Sequence, residues 1–122
     1  MMTPSNHMTV AALAALELEY QMALEMSNLS PHNSRYGARA QALLDVMLNI
    51  GRGVPLMDLD ATFSRISKEL LDTVDTIKDP VVQQAMLGQS EGFAEGCSYL
   101  KQVILSHVLE YRVWRAPTIG LA

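Results

Sequence analysis

Gly88-Gln89-Ser90-Glu91-Gly92-Phe93-Ala94-Glu95-Gly96-Cys97-Ser98-Tyr99-Leu100 places three glycines four residues apart. On an α-helix that spacing stacks them on one face. Each glycine costs roughly 1 kcal/mol relative to alanine in a helix interior. A stable helix recovers that cost elsewhere, and close approach of another backbone does so, because glycine has no Cβ to hold it off. Between membrane helices the same spacing marks dimerisation. Here Gln83, Gln84, Gln89, Glu91 and Glu95 argue against a lipid surround. The first expectation for the partner is another helix of the same chain. The second is a separate subunit, which makes Gly88, Gly92 and Gly96 candidate interface residues. A kinked segment is the third.

Reading outward, Asp79-Pro80 starts this helix. Proline disfavours helix at the residue before it. It is also at home in the first helical turn, after an aspartate cap. The stripe Val82, Ala85, Phe93, Leu100, Val103, His107, Tyr111 and Trp114 carries the pattern to residue 115. At ~1.5 Å per residue that helix is roughly 50 Å long, against a diameter of ~30 Å for a compact domain of this size. It therefore either breaks near Gly88 or projects. Residues 116–122, Ala-Pro-Thr-Ile-Gly-Leu-Ala, are expected as an extended apolar tail.

Upstream, three further segments repeat apolar residues at three- and four-residue steps, and strict alternation is absent. Leu59, Phe63, Ile66, Leu70, Val74 and Ile77 predict a helix over 59–78, capped by Asp58 or Asp60. Tyr36, Ala40, Leu43, Met47 and Ile50 predict one over 35–50, capped by Asn33 or Ser34 and closed by Gly51 as the residue after the end. Val10, Leu13, Leu16, Tyr20 and Leu24 predict one over 10–27, capped by Thr9 and stopped by Pro31. Leu18 and Met22 widen that first stripe, so this helix is expected to be buried on more than one side. The expected fold is an all-α bundle of four helices in one domain, 1–122, with an N-terminal arm over 1–8.

Composition agrees. The 122 residues are 49% hydrophobic, 6% aromatic and 18% charged, with eight Met and one Cys. This excludes a disordered polar chain and a disulfide scaffold. The net charge is -4, unevenly spread. Residues 1–34 hold Glu17, Glu19 and Glu25 and no Lys or Arg. With no basic domain, strong binding to nucleic acid is not expected. There is no basic n-region and no uncharged apolar run of 18 residues, so neither a signal peptide nor a membrane span is expected. The location expected is inside a cell or in a virion.

Few residues carry chemistry. His7, His32 and His107 lack metal-ligand spacing, and no Glu-x-x-His pair of a di-iron bundle occurs. Gly51-x-Gly53 has no Lys-Ser/Thr after it and is no phosphate loop. Cys97 reads as a packed thiol. No cofactor and no enzymatic activity are expected. Arg35 and Arg39 share a face at i, i+4. They form a solvated pair or a contact for an anion or partner. Asp72, Asp75 and Asp79 form a solvated acidic stripe. Tyr111, Trp114, Ile119 and Leu121 are apolar for a chain end, and Trp is a favoured interface anchor. They are candidate interface residues, with a frayed terminus as the alternative.

The stretch Glu91–Ile104 resembles a G-x-x-x-G-x-x-x-L-x-x-(V/I) helix met in small helical proteins of tailed bacteriophages. That resemblance covers one helix and implies a virion component of head, neck or tail. The glycine face and the apolar end suggest a non-enzymatic, self-associating structural protein. A small helical module that binds a host protein is the alternative, and a weak nucleic-acid binder using Arg35, Arg39 and Arg52 is third.

Overall fold

A computed structural model describes the backbone of residues 6–121 and the side chains of residues 10–106. It is all-α: α1 (Asn6–Leu29), α2 (Ser34–Gly51), α3 (Leu56–Val74) and α4 (Pro80–Leu121), with no strand among the described residues.

The helix boundaries follow local hydrogen bonding. Asn33 caps α2 as expected, its Oδ1 accepting from the Arg35 amide at 3.0 Å. Asp79 caps α4 in the same way, through the Val81 amide at 2.9 Å. Other ends differ from expectation. Thr9 lies inside α1, which starts at Asn6. α3 starts at Leu56 after Pro55, without a side-chain cap. Asp60 is instead taken by Lys101 at 2.5 Å. α3 stops at Val74, not at residue 78, where the side-chain Nε2 of Gln83 donates to the Ile77 carbonyl at 2.6 Å and to that of Val74 at 3.4 Å. These contacts satisfy carbonyls that another helical turn would have taken. Gly51 is the last residue of α2, and the left-handed glycine is Gly53, at φ +80°.

α4 is unbroken through Gly88, Gly92 and Gly96. Its 42 residues span about 60 Å. The helical backbone continues through residues 116–121, where an extended tail was expected.

α2 and α4 form the central pair, with α1 against α2 and α3 against α4. Gly88 lies on Arg35, Gly92 on Arg39 and Gly96 on Val46. Both sets of numbers rise together, so α2 and α4 run parallel. α3 is antiparallel to α4, through Phe63 stacked on Phe93 (centroids 5.0 Å apart) and Asp60 on Lys101. Between them Ser67 and Ser90 are both buried, and each hydroxyl donates to the other residue's carbonyl, at 2.8 and 3.0 Å. α1 also runs antiparallel to α4: the Tyr99 hydroxyl meets Glu19 at 3.4 Å, and Ala11, Ala12 and Ala15, earlier in α1, line one cavity with Gln102, Val103 and Ser106, later in α4. α1 and α3 make no contact with each other among the described residues. All four helices share one core, through Leu16, Leu43, Val46, Leu59, Phe63, Phe93 and Leu100.

Candidate interaction surface

The glycine face is filled from within the chain. A Cβ on Gly88 would fall on the Arg35 carbonyl oxygen, with the Arg35 carbonyl carbon 2.8 Å away. One on Gly92 would lie 2.6 Å from the Arg39 carbonyl oxygen and 2.7 Å from Ala42 Cβ. One on Gly96 would lie 2.7 Å from Val46 Cγ2. The first expectation therefore holds, and the second-subunit reading of these three residues is corrected. Their helix cost is offset by backbone contact and by burial of Ala42, Leu43 and Val46.

Arg35 and Arg39 are not a free basic face either. Arg35 pairs with Glu91. Arg39 reaches Glu95 at 2.6 Å and Glu19 at 3.2 Å, tying α1, α2 and α4 together. The two arginines and the two glutamates of α4 flank the glycines at the same four-residue step, so the ion pairs clip the register of the parallel helices. The pairing raises the Arg35 pKa, led by its hydrogen bond to Glu91. For Arg39, burial alone would lower it, but the hydrogen bond to Glu95 and the charges of Glu95 and Glu19 outweigh that. Arg39 Nε is buried without a hydrogen-bond partner among the described residues. Arg39→Met should cost about 1–2 kcal/mol in urea unfolding, because Glu19 and Glu95 then face each other uncompensated. That is below the fully buried case, since the pair is partly exposed. Arg39→Lys should recover only part, as one ammonium replaces a fork.

Cys97 is buried, and burial pushes its thiol pKa up, which opposes the thiolate a nucleophile needs. No group of three or more metal-ligating side chains occurs among the described residues, and no described helix is long and apolar enough to cross a membrane. Asp72, Asp75 and Asp79 are exposed, as expected. The side chains of His7, His107, Tyr111, Trp114, Ile119 and Leu121 lie outside the described residues.

What remains is the outer face of α1. Ala12, Leu16 and Ala23 face the bundle and are buried. On the opposite side, Leu18 (68% exposed), Met22 (58%), Met26 (40%) and Leu29 (78%) form a continuous apolar stripe. Ala11 and Ala14 extend it toward the N-terminus, and both are exposed. From Leu18 to Leu29 it is about 16 Å long. Past Leu29 it meets a cavity of 540 Å³ between the α1–α2 turn and the start of α4, lined by Pro31, His32, Pro80 and Val81. Glu17 and Glu25 border the stripe, exposed and without an ion pair among the described residues. The sequence carried the signal, in that Leu18 and Met22 predict burial on a second side. The bundle itself does not supply that side.

Compared with family models, with curated proteins and with solved structures, the chain gives no match.

Proposed function

We propose that this chain is a non-enzymatic interaction subunit that self-associates, with the outer face of α1 as its interface. The observation that carries this is the stripe of Leu18, Met22, Met26 and Leu29 on the side of α1 facing away from the bundle. A helix apolar on both sides belongs between two partners, and the bundle provides one. A contiguous apolar stripe of this kind marks an interaction site. Methionines at its centre suit an adaptable contact. The resemblance to small phage proteins would place such a subunit in a virion. Because Glu17 and Glu25 border the stripe, a basic helix of another protein is the second reading.

Light scattering after gel filtration, over a range of concentrations, tests this. The wild type should exceed the mass of one chain at micromolar concentration. Leu18→Glu with Met22→Glu should give a monomer with an unchanged melting curve, since outward positions carry little fold stability. A wild type that stays monomeric at every concentration would refute self-association.

A further inference from the structure

We infer that a second copy of the chain seats on α1 in an antiparallel pair centred on Leu18, with Met22 of each copy filling a cavity in the other. This rests on the reading of α1 as an interface, and it adds the geometry of the contact: one closed dimer about a two-fold axis.

The first support is a mismatch of size along one face of α1. Ala15, Met22 and Leu29 recur at intervals of seven, as do Ala11 and Leu18. That spacing keeps them on one side of the helix. In the C-terminal half of the face the side chains are large and exposed: Leu18, Met22, Met26 and Leu29. In the N-terminal half they are alanines, and beside them lies a cavity of 210 Å³. Its walls are Ala11 and Ala15 of α1 with Tyr99, Gln102 and Ser106 of α4. It is several times the roughly 30 Å³ that a water occupies in the liquid, so it takes a whole side chain. One half of the face carries surplus volume and the other half lacks it.

A two-fold axis through Leu18 matches the halves. In such a contact, residue i of one copy meets residue j of the other, and j meets i. With Leu18 opposite its own mate, Met22 comes level with Ala14 and Ala15 of the second copy, and Met26 with Val10 and Ala11. An unbranched thioether adapts to a gap of this kind. Leu18 also lies at the middle of α1, so the two helices overlap along their whole length, about 36 Å.

Charge selects the same register. α1 has three glutamates and no Lys or Arg. A pair centred between Met22 and Met26 would set the two Glu25 carboxylates against each other and leave both cavities empty. Centring on Leu18 puts them roughly 21 Å apart along the axis, beyond the ~8 Å screening length at physiological salt. Each Glu25 then falls level with Ala11 of the second copy, where the cavity wall offers the uncharged Gln102 and Ser106. Glu19 is held by Arg39. Glu17 is exposed, about 100° round the helix from Leu18 on the side away from the cavity, and stays in water. Arg52, Arg65, Lys68 and Lys78 belong neither to α1 nor to the cavity wall, and the contact calls on none of them.

Single cysteines in the full-length chain read the register. Native Cys97 is buried and does not compete. A disulfide needs Cα atoms within roughly 7 Å. Leu18→Cys should cross-link to a covalent dimer under mild oxidation. Met26→Cys, with its mate about 24 Å away along the axis, should not. A size exchange reads the cavity. Ala15→Met fills it from within, and Met22→Ala removes the side chain that enters it. Each should weaken association by roughly tenfold or more, equivalent to ~1.4 kcal/mol. The chain carrying both changes should return to near the wild-type dissociation constant in sedimentation equilibrium, and circular dichroism checks that each variant is folded. If the wild type associates but Met26→Cys cross-links as fast as Leu18→Cys, or neither cross-links, the copies meet in another way and this inference is overturned alone. A mass above two chains, or a size exchange that fails to recover, overturns it likewise. If the wild type is monomeric at every concentration, both this inference and the reading beneath it fall.

Discussion

Gly92→Leu should abolish the native fold. Gly92 is buried at the middle of the α2–α4 contact, and even a Cβ there lies 2.6 Å from a backbone oxygen and 2.7 Å from Ala42 Cβ. A side-chain obstacle could rotate aside, but a carbonyl of a packed helix moves only if the helix moves. Separating α2 from α4 would also break the Arg35–Glu91 and Arg39–Glu95 pairs and open the core around Leu43, Val46 and Leu100. Core overpacking costs ~1–3 kcal/mol when side chains relieve it. Here relief is blocked, and the loss should approach the ~5 kcal/mol at the low end of whole-domain stability. The smaller Gly92→Ala gains ~1 kcal/mol of helix propensity and should still be net destabilising. Gly37→Ala is the control. Its Cβ would meet Ser27 Oγ at 3.4 Å, an ordinary contact, so it should be neutral or slightly stabilising. Urea unfolding followed by circular dichroism reads all three. A Gly92→Leu chain that unfolds cooperatively at the wild-type midpoint would show that the close approach is not required.

Leu16→Ala should cost about 3 kcal/mol and loosen α1 first. Leu16 is fully buried, the one large side chain with no exposed area among the described residues of α1, and its buried neighbours there are the small Ala12 and Ala23. Truncation removes its transfer energy and leaves a cavity, which for Leu→Ala costs ~2–5 kcal/mol. α1 packs mainly on one helix, α2, and so has the least to fall back on. Hydrogen exchange should show α1 amides losing protection ahead of those of α2 and α4. If α1 carries the interface, the same variant should also associate more weakly. A loss below about 1 kcal/mol would mean that the site collapses around the missing atoms.

Much of the fold is legible in the chain. Apolar residues at helical spacing locate four helices; the Asp79-Pro80 pair places the start of α4 to the residue, and Asn33 or Ser34 places that of α2 to within one. Ends without such chemistry are less readable. Nothing local to residues 75–78 says that Gln83, beyond the corner, will take up the carbonyls near the end of α3. For the candidate site, the sequence indicates a second apolar side on α1 but cannot say whether the bundle fills it. It also makes Arg35 and Arg39 look like a basic face, because their partners Glu91 and Glu95 lie 56 residues away.

The glycine stripe divides the two kinds of knowledge. Three glycines at intervals of four indicate by themselves a face made for close approach, with a kinked segment as the alternative. Which backbone comes close is a property of the tertiary structure alone. It is α2, parallel and in register, because only there do small side chains, buried Val46 and two arginines at the same four-residue step meet that face together. That choice leaves the surplus apolar surface on the outer side of α1.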